Sequence, residues 1–110
     1  MHVMILMQKK DLKIALFYHY HNPDTGKLVV SNQSKRKYCN VHVELFNDTQ
    51  IRFIYHIPEI QPRVGVLLDY KNNNDIEGNR FFGSIHKISI NIGKDSKEFI
   101  PTADNRIEVR

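Results

Sequence analysis

Two histidines separated by one residue could together hold a metal ion. His19 and His21 flank Tyr20 at the end of an apolar run, and Asp24 follows shortly after them. If this run is a β-strand, His19 and His21 share one face, because side chains i and i+2 point the same way. No cysteine or further carboxylate completes a ligand set here, so the favoured interpretation is two exposed or hydrogen-bonded histidines without a metal.

Cys39 and His42 have the residue types of a nucleophile and its base. On a strand these two side chains point to opposite faces, because their separation of three residues is odd. A single cysteine excludes an internal disulfide and a cysteine-type zinc site, and Cys39 is expected as a small core residue in a reducing compartment. The sequence also lacks a glycine-framed serine and a phosphate-binding loop. These features predict a non-catalytic protein without a cofactor.

Basic residues gather in two places and could attract an acidic partner. The formal net charge is +4, from 16 lysines and arginines against 12 acidic residues. Lys35-Arg36-Lys37 precedes Tyr38, and Lys9-Lys10 lies shortly before Lys13. Positive charge beside an aromatic ring can hold the phosphates and stack on the bases of RNA or single-stranded DNA. The alternative interpretation is that these charges belong to solvated loops.

Short β-strands are predicted to position these residues. Leu12–His21 is rich in aliphatic and aromatic residues and ends at Asn22–Gly26, where proline and glycine favour a turn. Lys27–Val30 then returns as the second strand of a hairpin. Val41–Leu45 alternates apolar and polar residues with a period of two, as a half-buried strand does, and Gln50–Tyr55 is its antiparallel partner.

The rest of the chain continues the same pattern. Pro58 and Pro62 are expected to bracket a connection, and 71–78 is a polar loop. Further strands are predicted at Val64–Leu68, Arg80–Phe82, His86–Ile92, Phe99–Ile100 and Ile107–Val109. The chain therefore reads as one all-β domain, a small SH3-like barrel (residues 38–110) with an extra amino-terminal hairpin (residues 1–37). No stretch approaches the length of a membrane span or has the pattern of a signal peptide, so a cytoplasmic protein is expected.

Several motifs in the second half occur in the order of one known family. They are Gly65-Val66-Leu67-Leu68-Asp69, Asn72-Asn73-Asn74-Asp75, Gly78-Asn79-Arg80-Phe81-Phe82 and Phe99-Ile100, with Ile51-Arg52-Phe53-Ile54 upstream. In this series the chain resembles the CAP-Gly domain, a glycine-rich β-barrel of cytoskeleton-associated proteins. The resemblance covers about residues 41–109. It implies an interaction module with protein partners, including cytoskeletal ones.

The resemblance also implies where a partner binds. Family members capture an acidic carboxy-terminal tail that ends in tyrosine or phenylalanine, using asparagine donors, a lysine and an aromatic groove. The residues expected to contact the partner are Lys71, Asn73, Asn74, Asp75, Arg80 and Phe81. The family's two loop glycines are absent, and its lysine is not in register, so the expected ligand is such a peptide tail or another protein surface.

Overall fold

The computed structural model describes residues 11–110, in which strands arrange into two antiparallel sheets. The strands are β1 (Ile14–Tyr18), β2 (Lys27–Asn32), β3 (Tyr38–Asn47), β4 (Arg52–Ile60), β5 (Gly65–Asp69), β6 (Ile85–Ile92), β7 (Asp95–Pro101) and β8 (Ile107–Val109). Two short 3-10 turns lie between β1 and β2. The prediction of an all-β protein is confirmed, and the two open sheets are consistent with a small barrel-like fold.

The smaller sheet has the strand order β1-β2-β5 and contains the predicted amino-terminal hairpin. The turn of that hairpin follows from its sequence. The Asn22 side chain accepts a hydrogen bond from the Asp24 N–H (2.9 Å), Pro23 begins the turn, and Gly26 ends it with φ +67°. Because β2 also pairs with β5, the hairpin shares a sheet with a strand from the carboxy-terminal part of the chain.

The larger sheet has the order β4-β3-β6-β7-β8. Its centre confirms the predicted alternation, since Val41, Val43 and Leu45 are fully buried and the residues between them are half-buried. Ile88 and Ile90 on β6 are fully buried opposite them. The hairpin between β3 and β4 turns at Asn47, whose buried Oδ1 accepts hydrogen bonds from the Thr49 and Ile51 N–H groups (3.0 and 2.9 Å).

The alternation along β3 and β4 changes phase at one level of the sheet. Asn40 has a left-handed φ of +52°, and both it and its neighbour Cys39 are exposed. On the paired strand, Glu59 and Pro58 are likewise two consecutive exposed residues. The side chains beyond this level therefore face the core from the other side of the strand. Cys39, expected in the core, is exposed for this reason.

The two sheets face each other across one hydrophobic core. It contains Leu12, Ile14, Leu16, Tyr18, Leu28, Val30, Tyr38, Val41, Val43, Leu45, Phe53, Tyr55, Ile57, Ile60, Tyr70, Phe81, Ile85, Ile88, Ile90 and Phe99. On one side of the molecule β1 lies beside β8. On the other side, β4 and β5 form the sheet edges and are not hydrogen-bonded to each other. The two sheets thus come together at β1 and β8 without sharing a strand ladder, and a seam separates β4 from β5 on the other side.

Several predicted boundaries differ from the structure, and three of the differences have a clear physical meaning. The first strand ends at Tyr18 rather than His21, because Tyr20 and His21 adopt left-handed φ values of 55° and 54°. β4 continues through Pro58, which an edge strand tolerates because its missing N–H costs no ladder bond. Arg80–Phe82 forms only an isolated bridge, between Arg80 and Asn74.

Residues 11–110 contain no helix with the length and apolar character that a membrane span requires.

Candidate functional site

The asparagine-rich loop, residues 70–79, is built around the buried carboxylate of Asp75. Its Oδ1 accepts hydrogen bonds from the N–H groups of Glu77 (3.0 Å) and Asn79 (2.8 Å). Its Oδ2 accepts one from the N–H of Ile54 on β4 (2.9 Å). The sequence Asp75-Ile76-Glu77-Gly78 explains this geometry, because aspartate at the first position and glycine at the fourth favour a tight turn. Asp75 therefore holds the loop to the edge of β4.

Three asparagines of the loop are also engaged within the protein. Asn73 Nδ2 donates to the carbonyl oxygen of Asp69 (3.0 Å), and Asn72 Nδ2 donates to the Asp69 carboxylate (3.1 Å). Asn74 Oδ1 accepts a hydrogen bond from Arg80 Nε (2.9 Å). The asparagine donors expected to hold a terminal carboxylate thus have intramolecular partners, with the Nδ2 group of Asn74 left as a donor.

A groove runs between the loop and the two sheet edges. It encloses about 320 Å³ and is lined by Tyr55, His56, Leu67, Leu68, Asp69, Asn73, Asn74, Asp75 and Ile76. Leu67 and Ile76 are 47% and 58% exposed. Two large apolar side chains therefore lie open to solvent beside polar groups.

The six residues predicted to bind a partner do not all lie in this groove. Asn73, Asn74 and Asp75 line it. Lys71 instead covers Gly26, where an added methyl group would meet its side chain within 2.8 Å, and Arg80 lies outside the lining. Phe81 is buried, with its ring 5.0 Å from that of Phe53 and 5.1 Å from that of Tyr70. The structure thus assigns Phe81 to the core.

Buried tyrosines support the floor of the groove. The hydroxyl of Tyr55 donates to the carbonyl oxygen of Tyr70 (3.0 Å), which ties β4 to the start of the loop. Burial, with a smaller contribution from the negative charge of Asp75, raises the pKa of Tyr55 to about 12. Burial also raises the pKa of Tyr70. Both hydroxyls stay protonated at neutral pH and act as fixed structural groups.

The histidines and the cysteine considered for metal binding or catalysis lie in two regions of the described chain, the turn after β1 and the β3–β4 pair. His19 and His21 lie in a 3-10 turn, so the strand geometry that would align them is absent. His42 on β3 stacks on His56 of β4 with ring centroids 5.0 Å apart, and His56 lies 3.3 Å from the Asn40 side chain. Within residues 11–110, no three histidine, cysteine or carboxylate side chains are grouped as metal ligands would be.

Parts of the two predicted basic clusters meet at the carboxy-terminal end of β2, away from the asparagine-rich loop. Lys35 and Arg36 line a cavity of about 330 Å³ together with Lys13, while Lys37 instead forms an ion pair with Glu59 (3.4 Å). The remaining lining residues are Asp11, Gln33, Ser34, Tyr38 and Arg63. Lys9-Lys10, the other part of the predicted clusters, lies outside the described residues.

Sequence reasoning missed three residues at these two sites. Leu67 and Ile76 were predicted only as residues of a strand and of the polar loop, and Arg63 was given no role. Asp-x-x-Gly at 75–78 signals a turn that places Ile76 at its exposed second position. No comparable signal exists for Arg63, because its position depends on the path of the connection from β4 to β5.

Comparisons with protein-family models, with curated proteins and with solved structures give no match. The resemblance to the CAP-Gly domain therefore stays a prediction.

Proposed function

We propose that this protein is a non-catalytic interaction module that binds a short extended peptide of a partner protein in the groove between β4 and β5. One observation carries the proposal: both strands that border the groove are sheet edges, and exposed apolar side chains lie beside them. Peptides commonly bind such edges as an added strand, with backbone hydrogen bonds giving affinity and side-chain pockets giving specificity.

The edge of β5 offers the longer run of backbone groups. The Val64 carbonyl oxygen accepts from Asn32 N–H on β2 (2.9 Å), and backbone polar groups alternate in direction along a strand. Gly65, Leu67 and Asp69 therefore direct their N–H and C=O groups away from β2. The Asp69 carbonyl oxygen is already bound by Asn73, which leaves Gly65 and Leu67 to pair with a peptide.

The edge of β4 contributes less backbone and more shape. Ile54 is closed by the loop, because its N–H donates to Asp75 and its carbonyl oxygen accepts from the Ile76 N–H (2.8 Å). His56 is the next residue with outward backbone groups, and Pro58 after it has no N–H. We infer that β5 pairs with the peptide while Tyr55, His56 and Ile76 form the opposite wall.

The charges of the loop do not select an acidic peptide by themselves. Lys71 and Arg80 are offset by Asp69, Asp75 and Glu77. Because of the CAP-Gly resemblance, an acidic tail ending in tyrosine is the first ligand to test, and a cytoskeletal protein is the first partner to test. A cytoplasmic location also stays a proposal. The groove itself calls for an extended backbone and one or two apolar side chains.

The test is a selection of short peptides from a random display library on the full chain, followed by binding of labelled synthetic copies. We expect the double substitution Leu67→Asp with Ile76→Asp to weaken binding by at least about tenfold, since it places charges against the apolar anchor. N-methylation of the odd-numbered or of the even-numbered peptide residues should weaken binding, but not both, because a strand edge pairs with every second residue.

The matched control is the double substitution Ile100→Asp with Val109→Asp, at exposed apolar positions on β7 and β8. It should leave affinity unchanged. A labelled acidic tail ending in tyrosine, with and without its last residue, forms a separate arm that tests the CAP-Gly type of recognition. If no peptide is selected, or if both double variants weaken binding equally, the groove is not the binding site.

The alternative function, binding of RNA or single-stranded DNA, has support from one of its two requirements. Cations from Lys13, Lys35 and Arg36 do converge. Tyr38 beside them is buried, however, and Tyr20, an exposed tyrosine, lies past the other end of β1. Base stacking at this cleft therefore lacks an exposed ring among residues 11–110, and the peptide groove is the better-supported proposal.

A further inference from the structure

The cavity at the end of β2 gathers positive charge from three separate chain segments. Lys13 precedes β1, Lys35 and Arg36 lie between β2 and β3, and Arg63 precedes β5. We call this cavity the cationic cleft. Its volume of about 330 Å³ lies near the lower limit of cavities that bind small molecules, which is roughly 300 Å³. The volume therefore fits a compact ligand.

The loop that carries Lys35 and Arg36 is held in place by a buried asparagine. Asn32 Nδ2 donates to the carbonyl oxygens of Arg36 (2.8 Å) and Ile60 (3.0 Å). Asn32 Oδ1 accepts from the N–H of Ser34 (2.9 Å), and Ser34 Oγ lies 2.7 Å from the Arg36 carbonyl oxygen. The loop backbone is thus fixed by buried and partly buried hydrogen bonds, which pre-organise the backbone that carries the two cations.

The guanidinium of Arg63 is also fixed. Its Nη1 donates to the carbonyl oxygen of Gln33 (2.8 Å), which leaves its other N–H groups for the cleft. Its backbone has φ +63°, a left-handed conformation that costs a non-glycine residue about 1 kcal/mol. The Tyr38 hydroxyl accepts from the Lys13 N–H (3.1 Å), so its own proton can be donated into the cleft.

These cations form no ion pairs within the part of the chain that the structure describes. Within residues 11–110, no carboxylate forms an ion pair with Lys13, Lys35, Arg36 or Arg63. Asp11 lines the cleft but is paired with Lys97 (3.3 Å). Like charges held together on fixed backbone repel each other, and a bound anion would remove that repulsion.

We propose that the cationic cleft is a binding site for a compact anion that carries phosphate groups, such as inorganic pyrophosphate or the phosphate end of a small phosphoester. Arginine forks and lysine ammonium groups are the side chains that bind phosphate oxygens, and the Tyr38 hydroxyl adds a neutral donor. This site lies apart from the β4–β5 groove, so it stands or falls independently of the proposed peptide binding.

The test is calorimetric titration of the full chain with pyrophosphate at constant ionic strength, with sodium chloride as the reference salt. We expect saturable binding with one ligand per chain. Arg36→Gln should weaken it by at least about tenfold, because a charge-assisted contact to phosphate is lost. Tyr38→Phe should weaken it several-fold without changing the net charge, which separates a built site from diffuse attraction.

Lys94→Gln is the matched control, since it removes one positive charge from an exposed turn between β6 and β7. It should leave pyrophosphate affinity nearly unchanged. Equal weakening by Arg36→Gln and Lys94→Gln would overturn the proposal, and so would the absence of saturable binding. A single-stranded oligonucleotide that binds but is not displaced by pyrophosphate would overturn the assignment to a compact anion. Displacement of the oligonucleotide by pyrophosphate would support it.

Discussion

The asparagine-rich loop and the loop that lines the cationic cleft both lie beside the smaller sheet, yet they use their polar groups in opposite ways. In the loop, Asp75, Asn73 and Asn74 bind other parts of the protein. In the cleft, Asn32 and Ser34 make the internal contacts while the charged groups of Lys35 and Arg36 carry no ion pair with any carboxylate of residues 11–110. Residue type sets which bonds a side chain can make, and the surrounding backbone decides which of them are made within the protein.

The difference predicts recognition by shape at the groove and recognition by charge at the cationic cleft. Since the Nδ2 groups of Asn72 and Asn73 already have partners within the protein, the groove beside the asparagine-rich loop can offer a binding partner mainly strand edges and apolar surface. The cleft offers charge on a fixed backbone. The following four predictions test this contrast, beginning with the largest expected effect.

Replacing Phe81 should show that the loop depends on the core rather than on a ligand. We expect Phe81→Ala to lower the free energy of unfolding by about 3–5 kcal/mol, as for other buried phenylalanines, because its ring packs on Phe53 and Tyr70. Urea denaturation measures the change. Phe82→Ala, at a position 53% exposed, is the control and should cost about 1 kcal/mol or less. Equal losses would mean that Phe81 is not a core residue.

One buried polar side chain holds each loop in place: Asp75 in the asparagine-rich loop and Asn32 at the cationic cleft. Removing either side chain should destabilise the protein to a similar degree. Asp75→Ala leaves three backbone N–H groups without their acceptor, and Asn32→Ala breaks contacts to Arg36, Ile60 and Ser34. We expect each to cost about 2–4 kcal/mol by the same denaturation assay. Asn73→Ala, at an exposed position, should cost under about 1 kcal/mol. A small effect of Asp75→Ala would contradict its structural role.

Alkaline pH should destabilise the folded protein through Tyr55, which lines the groove. The pKa of Tyr55 is raised from 10.0 to about 12 in the folded protein, so folding favours its protonated form. That contribution to stability is complete below pH 10 and is lost as pH rises from about 10 to 12. We expect the urea midpoint to fall over this range. Tyr55→Phe should make the fall shallower, at a cost of about 1 kcal/mol at neutral pH for the lost hydrogen bond. An unchanged slope would contradict the assignment.

Arg63→Gly should separate stability from anion binding in the cleft. Glycine relieves the left-handed backbone, which offsets the lost hydrogen bond to Gln33, so stability should change by less than about 1 kcal/mol. Pyrophosphate affinity should nevertheless fall by about tenfold or more. Thermal unfolding and calorimetric titration of the same sample measure the two effects. Unchanged affinity would show that Arg63 has no part in the cleft.

Local patterns predicted much of the fold. Alternation identified Val41–Leu45 and His86–Ile92, and the Asn22–Gly26 turn followed from proline and glycine. The phase change at Asn40 was not predictable, because it depends on how β3 and β4 bend together around the core. Nothing in the spacing indicates that β4 continues through Pro58, since only sheet order shows that this strand lies at an edge.

For the candidate sites, sequence identified the right segments but not the available groups. The polar character of 71–78 predicted a loop, and the loop does border a groove. Whether Asn73 donates to a ligand or to Asp69 depends on a backbone turn that residue types alone do not determine. The clustering of Lys35 and Arg36 was visible, whereas Arg63 joins them only through tertiary structure.

The closure of β4 also bears on how this protein behaves at high concentration. An exposed sheet edge invites a second copy of the same chain to pair with it, and runaway pairing leads to aggregates. Here the loop occupies the backbone of Ile54, and Pro58 offers no N–H two positions after His56, so β4 has too short an open stretch to hold another strand. The features that close β4 thus protect that edge from pairing with a second copy, and they leave β5 as the open strand edge beside the groove.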